Sequence, residues 1–349
     1  MNGEKKRVTL ALQGGGSHGA FTWGVLDRLA EEPRLDIVAI SGTSAGALNA
    51  AVFAHGYMRG GAPGAKQALR DFWRSISDTG NAVFNPYRYV MEWPLLSSYV
   101  ALWTDVFSHI WSPYDNPFYT NRMGQLLEDA VDFESLRKSG KPELFICATN
   151  VKTNERKIFR SSELNAEVLL ASACLPLLFQ AVEVKGNDYW DGGYMGNPVL
   201  SPLLKFSEDM LIVEVNPLHR NNLPRRATDI LDRLNEITFN SALVQELDMI
   251  NTMNKLIARG ELIAPKYKPI RFHAINAERE MSEYGATSKS DTSWHFLTEL
   301  HELGRQTAEA WLTDPTQFCQ VGVASTCNVD ERFIKPTKKH PSQPPQPVS

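Results

Sequence analysis

Apolar runs along the chain come in two lengths, and each predicts a different element. Val8 to Gln13 (VTLALQ) is short, continuous and bounded by glycine, as a buried strand is. A 3.6-residue pattern follows from about Ala20 to Glu31 and predicts a helix stopped by Pro33. Ile37 to Ile40 is a second buried strand. ALNAAVFAHGYM then reads as a helix closed by Gly60, Gly61 and Pro63, and a further helix is expected from Ala65 to Ser77. Later strands are expected at Glu143 to Val151, with a hairpin partner at Lys157 to Arg160, and at Met210 to Pro217 and Ile270 to Asn276. Val182 to Val184 and Asp188 to Trp190 flank Lys185-Gly186-Asn187, a hairpin turn. Helical patterning covers Glu163 to Ala173 and residues 226 to 260 and 293 to 313. Strands alternating with helices predict an α/β protein, its mainly parallel sheet covered on both faces.

Two stretches break the pattern. Residues 80 to 120 carry 11 aromatics and four prolines with weak periodicity, and are read as a lid or insertion of the core. The tail from Pro336 is polar and proline-rich and is expected to be disordered. The expected organisation is a core over 1–215, a mostly helical extension over 216–335 packed on it, and the tail over 336–349.

Composition narrows the function classes. A net charge of −4 and the lack of a basic stripe argue against nucleic-acid binding. No run of 18 apolar residues predicts a membrane span. The apolar stretch at Val8 to Leu12 is too short for a signal peptide. Cys147, Cys174, Cys319 and Cys327 have no metal-ligand spacing, and the first two lie in apolar runs as core thiols, which fits a cytoplasmic protein. Neither a metal nor a cofactor is expected.

The candidate chemistry lies at two strand ends. Gly14-Gly15-Gly16-Ser17-His18-Gly19 formally satisfies the dinucleotide pattern GxGxxG. That reading needs an acidic residue after the second strand, and here that strand runs instead into Ser41-Gly42-Thr43-Ser44-Ala45-Gly46. Gly42-x-Ser44-x-Gly46 is a nucleophile-elbow pattern, in which small neighbours allow a sharp strand-to-helix turn that presents the serine hydroxyl. A serine that attacks an ester carbonyl creates an oxyanion, and unobstructed glycine amides at the neighbouring strand end supply donors for it. The base is open on the residues alone. His273, His295 and His301 could complete a triad, or Asp191, which ends a hairpin strand before Gly192 and Gly193, could act directly.

Gly14 to Gly19, Gly42 to Gly46 and Asp191-Gly192-Gly193, in that order and spacing, resemble the patatin-like phospholipase family. Ala171 to Val184 also looks like the segment that precedes the family's aspartate motif, and the resemblance runs from about Val8 to Leu204. It implies a three-layer α/β/α fold and lipid acyl hydrolase chemistry, with Ser44 as nucleophile and Asp191 as base. The oxyanion hole would then lie at Gly14, Gly15, Gly16 and Ser17, with Gly19, Gly42, Gly46, Gly192 and Gly193 as motif residues. The implied partner is an acyl-ester lipid, met in the cytoplasm or at a membrane surface. His18 departs from the family, which often has Arg or Lys there. An acyltransferase would share the same elbow, and a non-catalytic lipid-binding regulator would share the fold. Asn197, before Pro198, reads as a helix cap.

Overall fold

The computed structural model describes residues 5–83, 113–115, 122–176, 178–220, 223–262, 268–281, 283–284, 286–318 and 321–322. Most of the expected aromatic lid, the proline-rich tail, Cys319 and Cys327 lie outside the described residues.

The elements, in chain order, are β1 (Lys6–Leu12), α1 (Gly19–Ala30), β2 (Leu35–Gly42), α2 (Ala45–Val83), α3 (Arg122–Ala130), α4 (Phe133–Ser139), β3 (Glu143–Asn150), β4 (Arg156–Arg160), α5 (Ala166–Ser172), β5 (Val182–Val184), β6 (Asn187–Asp191), β7 (Asp209–Glu214), α6 (Ala227–Ala258), β8 (Arg271–Asn276), α7 (Glu278–Met281) and α8 (Trp294–Thr313). Short 3-10 turns link several of them, among them Gly16–His18 and Ala286–Ser290. The expected break after Tyr57-Met58 is a kink inside α2, where Gly60 and Gly61 leave helical geometry. The hairpin turn is as expected: Lys185 and Gly186 both have positive φ, 52° and 78°. Helices α3 and α4 were not among the expected elements, although Asp132 caps α4 and Gly140, in the left-handed region, ends it.

The sheet has eight strands in the order β5-β6-β3-β2-β1-β7-β8, with β4 on β3. Strands β3, β2, β1, β7 and β8 run parallel, and β4, β5 and β6 add antiparallel pairings. Side chains alternate across a strand, so each central strand feeds two cores. On one face Leu10, Leu12, Leu144, Ile146, Leu211 and Val213 pack with α1, α2 and α8. On the other, Ala11, Phe145, Met210 and Ile212 pack with Leu243, Leu247 and Ile250 of α6. These layers make the three-layer α/β/α architecture. The later part of the chain shares these cores, since β8 extends the sheet and Leu297, Leu300 and Trp311 of α8 join the first cluster.

One edge of β3 decides where the site forms. Strand β4 covers the opposite edge from Phe145 to Thr149. Along the remaining edge, β2 pairs with Glu143–Ile146 and β6 with Ala148–Asn150. The two strands run in opposite directions on a shared track and meet end to end. Gly42, the last residue of β2, therefore lies next to Asp191, the last residue of β6.

Candidate active site

Ser44 stands where β2 turns into α2, with φ at 54°. A non-glycine residue in this region costs about 1–3 kcal/mol, a strain that surrounding structure must hold. The two flanking glycines make the turn feasible. A Cβ on Gly42 would lie 2.5 Å from the Gly46 carbonyl oxygen, and one on Gly46 would collide with the Leu12 carbonyl. The Ser44 N–H donates to Ser172 Oγ (3.0 Å) and the Thr43 hydroxyl to the Gly196 carbonyl (2.7 Å), so the turn is tied to the segments on either side of Asp191.

Asp191 is fully buried. Its backbone is fixed by an N–H bond to the Cys174 carbonyl (2.8 Å) and by Thr149 Oγ1, which donates to its carbonyl (2.8 Å). Carboxylate Oδ1 accepts from the Gly193 N–H at 2.7 Å, while Oδ2 has no partner at hydrogen-bonding geometry. Desolvation pushes the carboxyl up to about 7, against the smaller stabilising effects of the Gly193 amide and the Ser44 hydroxyl. The serine is thus near enough to favour the carboxylate, yet the contact is looser than a formed hydrogen bond. Such contacts commonly tighten only with substrate bound. A general base poised near neutral pH is well matched to proton transfer.

The glycine loop runs beside the elbow. A Cβ on Gly14 would sit 2.5 Å from Ser44 Cβ, so only glycine lets the two strand ends approach. The Gly14 N–H is committed to Asn197 Oδ1 at 2.6 Å. The expected set of four donors therefore loses one. Among the described residues the Gly15 and Gly16 N–H groups make no hydrogen bond within the chain, and Gly16 is exposed with φ at 60°. Ser17 is buried in the turn that follows. Gly19 lets α1 begin against Ala45, while side chains at Gly192 and Gly193 would collide with the Cys147 carbonyl and the Phe239 ring.

Four buried amide side chains brace this loop, and none was singled out as bracing it from the sequence. Gln13 Nε2 donates to Asn240 Oδ1 (3.1 Å) and to the Asn197 carbonyl (3.3 Å), and Gln13 Oε1 accepts from the Val215 and Asn216 N–H groups. Asn197 is not the helix cap expected of it. No helix starts at Pro198, and its side-chain amide instead grips Gly14 at both the N–H and the carbonyl, the latter at 3.2 Å. Asn216 Nδ2 also donates to the Gly14 carbonyl, at 2.6 Å.

The histidines are engaged elsewhere. His273 Nε2 lies 2.9 Å from Asp209 Oδ1, and Asp209 opens β7 at the far end of the sheet, about 13 Å along the strands from the row that holds Gly42. His301 pairs with Asp27 (2.9 Å) between α1 and α8, and His295 is exposed. His18 is buried, with Nε2 2.8 Å from Ser288 Oγ. Burial, and then the Lys289 ammonium, drive it down to about 3, so it is neutral at physiological pH.

Volume does not mark the site. Cavities of about 970 Å³, around His55, Arg59 and Arg122, and about 550 Å³, around Leu35 and Tyr57, are lined by neither Ser44 nor Asp191. Among the described residues there is no cluster of metal-ligating side chains and no helix long and apolar enough to cross a membrane.

A serine in a strained turn, a desolvated carboxylate beside it and unbonded amides at the next strand end are the parts that acyl transfer requires. The family assignment agrees with this build. A family model described as patatin-like phospholipase matches residues 10–204, more than half of the chain, and the chain belongs to that family. Solved structures also match the chain, VipD and a chain of the SpcU–ExoU complex among them. VipD from Legionella pneumophila is 15% identical with a TM-score of 0.35, and the match covers 86% of this chain and 67% of that one. A chain in the complex of full-length SpcU with full-length ExoU, from the type III secretion system of Pseudomonas aeruginosa, is 14% identical with a TM-score of 0.32. That match covers 89% of this chain and 54% of the other, so this chain spans about half its length. No curated protein matches the chain.

Proposed function

We propose that the protein is a serine acyl hydrolase that cleaves acyl esters of lipids through a Ser44–Asp191 dyad. The observation that carries this reading is the carboxylate oxygen of Asp191, buried without a partner of its own beside Ser44. Ser44 Oγ attacks the ester carbonyl and Asp191 takes its proton. The Gly15 and Gly16 amides, with Ser17 beside them, hold the oxyanion. Asp191 then protonates the leaving alcohol, and an acyl-serine remains. Water, deprotonated by Asp191, attacks that ester, and the fatty acid leaves as Ser44 regains its proton. The buried free thiols Cys147 and Cys174 suit a reducing cytoplasm, with the substrate taken from a membrane surface.

Ser44→Ala tests the reading. The variant should lose hydrolysis across a panel of acyl esters, and labelling by a fluorophosphonate probe, while its melting temperature stays near that of the wild type. Turnover like that of the wild type in Ser44→Ala would falsify the mechanism.

A further inference from the structure

The glycine loop is held from a part of the chain that lies beyond the 10–204 family match. Lys289, in the 3-10 turn Ala286–Ser290, touches the loop in two ways. Its carbonyl occupies the space that a side chain on Gly16 would need. Its Nζ donates to Asn216 Oδ1 at 2.9 Å, and Asn216 Nδ2 donates to the Gly14 carbonyl at 2.6 Å. The neighbouring Ser288 bonds His18 on the other side of the same loop.

The Gly14 carbonyl and the Gly15 N–H belong to one planar peptide group. Donors on the carbonyl draw electron density toward oxygen and make the N–H a stronger donor, and such chains reinforce one another in a low dielectric. The ammonium at the start of the chain polarises the Asn216 amide, which polarises the Gly14–Gly15 peptide. The depressed titration of His18, to which Lys289 contributes, shows that this charge is felt at the loop.

We propose that Lys289 is a positioning residue of the oxyanion hole, acting through Asn216 to orient and polarise the Gly15 N–H. This rests on the reading that the Gly15 N–H receives the oxyanion. The loop's cation is then supplied by the later part of the chain, in place of one at position 18.

The test is steady-state hydrolysis of p-nitrophenyl butyrate by full-length variants. Lys289→Met keeps the length of the side chain and removes its charge and donor. It should lower kcat about 10- to 100-fold with KM within about twofold, a partial loss of one donor's effect on the transition state. Lys289→Arg should restore most of kcat. Asn216→Ala should cost as much as Lys289→Met, and the double variant no more than either alone, since both cut one relay. Asn216→Asp keeps an acceptor for Lys289 but loses the donor to Gly14, so kcat should fall although the lysine stays anchored. That variant carries the test if Lys289→Met does not fold. An unchanged kcat in Lys289→Met or Asn216→Asp, losses that multiply in the double variant, or a loss confined to KM would each overturn the proposal. If Ser44→Ala keeps its activity on the same ester, the underlying dyad has failed instead, and the two failures are told apart.

Discussion

Asp191 closes β6 and Asp209 opens β7, and both are sealed from solvent. Desolvation raises both carboxyls, but only one is compensated. Asp209 accepts from Arg271 Nε (2.9 Å) and Nη2 (2.7 Å), faces His273 Nε2 at 2.9 Å, and accepts from the Gly322 N–H at 3.1 Å. These partners override burial and hold it down at about 2. Among the described residues the Asp191 carboxylate accepts one full hydrogen bond, from the Gly193 N–H, and stands near 7. The donors, and the Arg271 charge among them, separate a carboxylate that staples the fold from one available to move a proton. Perturbation by burial beside a nucleophile is the stronger mark of function.

The comparison breaks first on activity. Asp191→Asn keeps shape and removes basicity, so ester turnover should fall by about two to four orders of magnitude. Asp209→Asn should keep kcat within about threefold. Equal losses in the two variants would erase the distinction drawn here.

Stability against pH comes next. An acid with a raised folded-state pKa binds its proton more tightly folded than unfolded. Stability is therefore lost as pH rises from about 4 to about 7, and stays lost above. With an ordinary carboxyl value of 3.8 and a folded value of about 7, the cost is about 4 kcal/mol at pH 8. Urea unfolding should find Asp191→Asn more stable than the wild type at pH 8 by up to about that amount, and no more stable at pH 4. Asp209 has the opposite sign, its contribution present above pH 4 and lost as pH falls toward 2. Asp209→Asn should destabilise the protein at pH 7 and flatten that acid limb.

A smaller effect sharpens the assignment of the base. In the proposed dyad only ionised Asp191 accepts the Ser44 proton, so kcat/KM should rise tenfold per pH unit below about 7 and level off above it. A profile flat from pH 5 to 8 would rule Asp191 out as that base. The smallest effect belongs to His273→Ala. It should leave kcat within about threefold and lower only the melting temperature, because the ring serves Asp209.

Strands and helices with long apolar runs were legible in the sequence, as were the turn at Lys185-Gly186 and both glycine-flanked motifs. Each of these is written in neighbouring residues. Asp191 was legible only through its two following glycines, and its desolvation only from the packed sheet. The braces were not legible at all. Asn197 meets Gly14 from 183 positions away, Asn216 from 202, and Ser172 meets Ser44 from 128. An asparagine before proline has a local meaning, and that meaning masked the distant one. Helix α3 does carry a periodic apolar face, Met123, Leu126, Leu127 and Ala130, but it follows directly on the aromatic, proline-rich stretch whose weak patterning masked its start, and α4 is only seven residues long with one buried side chain, Leu136.

Strands β2 and β6 share one edge of β3, and this arrangement has a consequence in time. The strand that leads into Ser44, the proposed nucleophile, leaves the ribosome about 150 residues before the strand that carries Asp191, its proposed base, and β3 must emerge between them. At 5–20 residues per second that is a delay of roughly 8–30 s in which Ser44 exists without Asp191. If hydrolysis needs both residues, as the proposed dyad requires, the nascent chain stays inert until β6 emerges, and a product truncated before β6 lacks activity.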